Sequence, residues 1–276
     1  MQTKAILFDL DGVILDSEKE YRRFWLQAAQ ELGLPLKEDV VLQLRSCDSS
    51  IARKIVDEAA DETGAYDRIR ARRKILMKEF LSEHSYDLKP GVKAFLEKIR
   101  ELPVRKVIVT SSTPEEKMPE LERLGIGQYF DGFVSVKEVK RGKPFPDVYL
   151  FACRKLGMEP GECLAIEDSP NGVRSAYGAG VKVVMVPDLT GPTDELRRMC
   201  RVADRIEEVM EYLNMNLRSN LSLDDIAQHF FISKYYLCHT FWAYTGVSIL
   251  TYINKKRIAM AQQLIEEGEP AASVSE

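Results

Sequence analysis

Five short apolar runs recur along this chain: Ala5 to Phe8, Val107 to Thr110, Phe133 to Val136, Leu164 to Ile166 and Val181 to Val186. Turn residues follow them and helical patterns separate them. Runs of that length, rich in Val and Ile, read as strands covered on both faces, and helices between them make the pairing parallel. A doubly wound α/β sheet is the fold class this predicts. In such a sheet the ligand gathers at the carboxyl ends of the strands.

The 276 residues exceed the need of one such core. Residues 17–88 carry charged segments of helical period, FWLQAAQEL, IARKIVDEAA and RIRARRKILMKEFL, and end at Leu88-Lys89-Pro90-Gly91. A connection that long is uncommon without structure of its own. It reads as a helical domain inserted after the first strand, leaving 1–16 and 89–213 as the core. A polar linker over 214–220 then leads to an all-helical unit over 217–276.

With 45% hydrophobic residues, 30% charged residues and a net charge of -4, the composition is that of an ordinary globular protein and points to no polyanionic partner. The N-terminal MQTKAILFDL lacks a leader pattern, and no apolar run approaches a membrane span. Five scattered cysteines without metal spacing read as reduced thiols. A cytoplasmic protein without a membrane partner is expected.

Chemistry concentrates at strand ends. FDLDGVILDS places Asp9 and Asp11 one residue apart where the first strand stops, with Gly12 permitting a turn. Such a pair suits one carboxylate as nucleophile and its neighbour as general acid and base, although an Asp-rich surface turn has the same spelling. Three later elements weigh against the surface turn. Ser111 and Ser112 follow the second strand with hydroxyls and amides suited to phosphate oxygens. Lys143 stands between turn residues in GKPFPD, and Glu167 and Asp168 end another strand, where hard oxygen ligands suit Mg²⁺.

In this order the four elements resemble the motifs of the haloacid dehalogenase superfamily. The resemblance implies that Asp9 forms an aspartyl phosphate and that Asp11 protonates the leaving group and then activates water. It further implies that Ser111 binds phosphate, that Lys143 balances charge, and that Asp168 and Glu167 hold Mg²⁺ together with Asp9 and Asp11. Asp16 is expected to order the loop. The insert 17–88 matches the helical cap of these enzymes, and only one αβ unit fits between Ser111 and Lys143.

DGVILDSE and the aromatic-rich helix after it are similar to the β-phosphoglucomutase-like subgroup. The mutase's expected histidine is replaced by Tyr21, with Trp25 one turn later, and Leu44-Arg45-Ser46-Cys47-Asp48 lacks the usual glycine. A tyrosine does not share histidine's acid–base role near neutral pH. The expected activity is therefore Mg²⁺-dependent hydrolysis of a small phosphorylated metabolite, a sugar phosphate first, with a sugar phosphomutase as the alternative. Arg22, Arg23 and Arg45 read either as contacts to an anionic substrate or as a solvated basic face. For Trp25 packing between cap helices is the preferred reading.

Near the C-terminus, Ser222 to Asp225 reads as a capping box, Ile232-Ser233 as a turn with Ser233 as N-cap, and Lys234 to Tyr244 as a second helix closed by Gly246. The run LSLDDIAQHFFISKYYLCHTFWAYTGVSILTYINKKRIAMAQQLI resembles the first half of the AraC-type DNA-binding domain. Its second motif would begin near Ser273-Val274-Ser275-Glu276, so half of that DNA-reading surface is expected to be missing. Lys234, Tyr235, Cys238 and His239 are the candidates for DNA contact. Residues 216–276 carry Arg218, Lys234, Lys255, Lys256 and Arg257 against Asp224, Asp225, Glu266, Glu267, Glu269 and Glu276. Net negative charge weakens the phosphate-neutralising contribution to DNA affinity. The alternative is self-association through the module's aromatic residues, and a further one is a regulator whose core senses a phosphorylated ligand.

Overall fold

The computed structural model describes residues 2–203, 206–219, 221–230 and 234–266. It divides into two compact units, Met1–Ala203 and Asp204–Glu276.

In the first unit the chain runs β1 (Ala5–Phe8), four helices α1 (Glu18–Glu31), α2 (Glu38–Gln43), α3 (Ser49–Ala60) and α4 (Ala65–Glu83), then α5 (Val92–Lys98) and β2 (Arg105–Thr110). There follow α6 (Pro114–Arg123), β3 (Gly132–Ser135), α7 (Asp147–Leu156), β4 (Cys163–Glu167), α8 (Pro170–Gly178), β5 (Lys182–Met185), α9 (Asp194–Met199) and β6 (Arg201–Val202). Among the described residues these strands make one parallel sheet in the order β3-β2-β1-β4-β5-β6. The chain leaves β1 first toward β2 and β3 and later returns to add β4, so the switch point lies between β1 and β4. A crevice opens at the carboxyl ends there.

Alternation along the strands feeds two cores. Ile6, Phe8, Ile108 and Ile166 face one side, whereas Ala5, Leu7, Val107, Val109 and Ala165 face the other beneath α7 and α8. The first core continues without a break into Phe24, Trp25, Tyr66 and Ile69 of the inserted helices. Insert and core are also sewn together by backbone pairing, since Asp16 donates to Asp87 and Lys89 donates to Ile14, each at 2.9 Å.

Most of the expected strand limits shift by one or two residues. Val136 leaves β3 for a short 3-10 turn capped by Ser135, and β5 stops at Met185. The two-residue β6 has no counterpart among the expected strands, because Arg201-Val202 is too short and too polar at one end to stand out as an apolar run.

The second unit contains α10 (Ile206–Met215), α11 (Leu223–His229), α12 (Lys234–Thr245) and α13 (Ile249–Glu266). Val209 and Leu213 of α10 are fully buried with Ile226, Leu237, Phe241 and Ile253. The stretch 206–213, expected in the α/β core, thus belongs with the C-terminal helices, and the expected linker begins inside α10. The capping box of Ser222 and Asp225 forms as expected. Ile232 and Ser233, with the proposed N-cap, lie outside the described residues, as do residues 267–276.

Candidate active site

Asp9 continues β1 by one residue, its amide bonded to Ile166 at 2.9 Å, and its side chain is buried at the switch point. Lys143 reaches the same place from the loop before α7. Its Nζ donates to Asp9 Oδ1 at 2.7 Å, to Glu167 Oε1 at 2.6 Å and to the Val109 carbonyl at 3.3 Å. Glu167 ends β4 and also accepts from the Tyr149 hydroxyl, while Asp168 lies just beyond. Four residues expected from three separate motifs therefore meet in one buried cluster.

Two close approaches shape it. Gly12 adopts φ +88°, a left-handed backbone that favours glycine, and a Cβ there would collide with the Asp168 carboxylate. Gly172, in the first turn of α8, lies so near Glu167 that a Cβ would overlap its carboxylate.

Burial pushes the Asp9 carboxyl up to about 7 against the pull of Lys143, with Glu167 and Asp11 adding to the rise. Asp168 is likewise raised to about 7 by burial, against Arg45. Asp9, Asp11, Glu18, Glu167 and Asp168 share Lys117, Lys143 and Arg45, so carboxylates outnumber cations around the cluster. Asp9 Oδ2, Glu167 Oε2 and Asp168 Oδ1 are buried without a hydrogen-bond partner. One oxygen from each of these three residues lies within 4.8 Å of the others. Unsatisfied, closely spaced carboxylate oxygens fit a small hard cation such as Mg²⁺.

Asp11, expected among the metal carboxylates, is turned away from them. Its Oδ1 accepts from Ser17 Oγ at 2.7 Å and from Lys117 Nζ at 2.8 Å, and Ser112 Oγ lies 3.4 Å from Oδ2. Ser112, expected at phosphate, is here beside Asp11, while Ser111 is exposed on the cavity wall. Asp16 sits apart from the cluster, bonded to Lys19 and at 3.3 Å to Lys89.

Two cations were not recognised from the sequence. Lys117 looks like one more charge on the polar helix PEEKMPELER, yet it is buried, held against Asp11 and over the rings of Tyr86 and Tyr21. Nothing local in α6 signals that depth. Arg45, read as a substrate contact or a solvated cation, lines the cavity and is not solvated. It is 5% exposed, bonded to Asp168 and to Thr190 Oγ1 at 2.9 Å, and 3.3 Å from Glu18. Arg22 is paired with Glu38 and Arg23 with Glu20. Trp25 packs between cap helices against Tyr66 at 5.8 Å, as expected.

Above the cluster a cavity of about 1030 Å³ extends between core and cap, lined by Asp9, Asp11 and Lys117 at one end and by α1 and α4 side chains at the other. In the second unit Lys234 is paired with Asp224 at 2.8 Å, Tyr235 stacks on His239, and Cys238 is half-buried.

Comparison with known proteins agrees with this arrangement. Residues 6–186 match the family model of haloacid dehalogenase-like hydrolases, and residues 213–254 match that of AraC-family bacterial regulatory helix-turn-helix proteins. The chain is 30% identical over 183 residues to a phosphorylated carbohydrates phosphatase of Thermotoga maritima, covering 65% of this chain and 82% of that protein. It is 30% identical over 192 residues to the β-phosphoglucomutase of Bacillus subtilis, covering 66% and 83%. Among solved structures, CbbY of Rhodobacter sphaeroides in complex with phosphate superposes with a TM-score of 0.57 at 25% identity, covering 73% of this chain and 93% of that one. The chain belongs to the haloacid dehalogenase-like hydrolases, joined here to a C-terminal helix-turn-helix segment of AraC type.

Proposed function

We propose that the protein is a phosphomonoester phosphatase acting on a small phosphorylated carbohydrate through Asp9. The observation that carries this reading is the buried Asp9 carboxylate held by Lys143, with Asp11 close by in sequence but in a separate hydrogen-bonding environment. Asp9 attacks phosphorus, and the P–O bond to the alcohol breaks. The departing oxygen takes its proton from Asp11, leaving an acyl phosphate on Asp9. Asp11 then removes a proton from water, which attacks phosphorus, releases inorganic phosphate and restores Asp9. Lys143 fixes the nucleophile's orientation and offsets the repulsion between carboxylate and phosphoryl oxygens. Ser111 is the proposed contact to phosphate at the end of β2.

Asp9, Glu167 and Asp168 would hold Mg²⁺, which when bound supplies further neutralisation of the phosphoryl charge. Ser17, Ser112 and Lys117 keep Asp11 oriented. Tyr21, at the position where the mutase's histidine is expected, favours hydrolysis over phosphoryl return to the sugar. Brief reaction with ³²P-labelled sugar phosphate and acid quench should trap a label on Asp9 that hydroxylamine removes. A label absent under single-turnover conditions that do release phosphate would reject the covalent route.

For the C-terminal unit a second reading rests on its match to the AraC family. We propose weak DNA affinity, because Lys234 is neutralised by Asp224 and Arg257 is spent on the Leu217 and Ser219 carbonyls. The exposed Trp242 and Tyr244 favour a protein contact, such as self-association, on the same unit.

A further inference from the structure

The cations of α4 fall into two groups according to what they meet. Arg68 and Arg72 pair with Glu62 and Glu31 on the outside. Arg70, Arg73, Lys74 and Lys78 are spaced i, i+3, i+4 and i+8, which places them on one helical face, and all four line the cavity above Asp9. Among the described residues none of these four has a carboxylate within ion-pair distance.

Arg73 is the most enclosed of them. Its guanidinium lies 4.8 Å from the centre of Trp25 and 5.1 Å from that of Tyr21, and its Nε is buried without a hydrogen-bond partner. Burial pulls its pKa below the ordinary arginine value. Tyr21 stacks on Tyr86 with ring centres 6.4 Å apart, and the Tyr86 hydroxyl is also buried and unpartnered. Buried donors without acceptors are uncommon and costly, and two of them flank the same ring. Lys117 lies over that ring pair too, but Asp11 holds it. Arg45 is likewise committed, to Asp168 and Glu18.

We propose that Arg73 and Tyr86, with Arg70 and Lys74 beside them, bind a second anionic group, phosphate or carboxylate, on the leaving-group part of the substrate. A guanidinium stacked on aromatic faces keeps its in-plane N–H groups free for an oxyanion. The rings of Tyr21 and Trp25 then form the wall for the carbon skeleton. A site built to satisfy buried donors discriminates against analogues that lack the acceptor. This inference rests on the phosphatase reading, since it takes Asp9 as the reacting end of the cavity.

The test uses the full chain and matched substrates: a sugar monophosphate against its bisphosphate, and glycerol phosphate against phosphoglycerate. The wild type should favour the anionic member of at least one pair, and which pair it is distinguishes phosphate from carboxylate. Arg73→Gln should cost roughly 10- to 100-fold in kcat/KM on that member, mostly through KM, the worth of a hydrogen bond to a charged group. The loss on the neutral member should be far smaller, and Arg73→Lys should recover part of it. Equal losses on both members would overturn the proposal. Binding is read separately from Trp25 fluorescence in an Asp9→Asn, Trp242→Phe protein titrated with malonate. Malonate should bind more weakly after Arg73→Gln, and unchanged binding would also overturn the proposal. If no ester is hydrolysed but malonate binding still depends on Arg73, the phosphatase reading fails and the anion site stands.

Discussion

Asp16 and Asp9 are both acids of FDLDGVILDS, yet their surroundings drive them in opposite directions. Burial acts to raise Asp16, but Lys89 and Lys19 outweigh it and hold its carboxyl below the ordinary value. A depressed pKa contributes stability that is present above the unfolded-state value near 3.8 and is lost as the pH falls through the lower folded value. Asp16→Asn should therefore destabilise the protein by about 1–2 kcal/mol at pH 7, since Lys89 keeps its pairing with Asp188. In denaturant melts that difference should shrink below pH 4. Asp9 and Asp168 behave in the reverse sense. Their raised values make ionisation costly in the metal-free protein, so their contribution to its stability is fullest in acid and declines as the pH rises toward 7. A cation needs the ionised forms, so Mg²⁺ affinity measured by calorimetry should fall steadily as the pH is lowered from 8 to 6. Lys117→Met should lower kcat by roughly 10-fold or more, by removing the counter-ion that orients Asp11. A change confined to Tm would show Lys117 to be structural.

At the scale of elements, the site depends on how closely α8 approaches the end of β4. Ser169 caps α8 by accepting from the Gly172 amide at 3.1 Å, which draws the helix's first turn against Glu167. Gly172→Ala should displace that carboxylate and raise the Mg²⁺ concentration for half-activation about 10-fold or more, as loss of a ligand's support does elsewhere. The strands and the acids at their ends were legible in the sequence because period, composition and turn residues all point the same way. Ala5 to Phe8 and Leu164 to Ile166 are nearly continuous apolar runs, and their acids follow at once. Lys117 and Arg45 were not legible as cluster members, since their burial arises from contacts with residues about 100 positions or more away. The break at Ala203 is hidden in the sequence for a similar reason. The apolar positions of α10 fit either unit by pattern, and packing with Phe241 and Ile253 assigns them to the second.

At the scale of the whole molecule, the residues assigned to chemistry all lie within Met1–Ala203, which has its own pair of apolar cores. A chain ending at Ala203 should fold and retain turnover within about a factor of two of the full protein, because a unit with its own core can fold alone. The C-terminal unit has a separate core and no surplus of positive charge, so full-length protein should bind duplex DNA weakly, with only a shallow dependence on salt. The insert and the α/β core share one apolar cluster, and side chains of both line the cavity above Asp9. We propose that buried carboxylates around Asp9 perform cation-assisted phosphoryl transfer. The most direct test is phosphate release from a panel of sugar phosphates by the full chain, with Mg²⁺ and with chelator, beside Asp9→Asn. Release should require Mg²⁺ and be abolished in a folded Asp9→Asn protein. Release that persists in chelator or in Asp9→Asn would contradict the proposal, as would no release from any ester by protein shown to bind Mg²⁺.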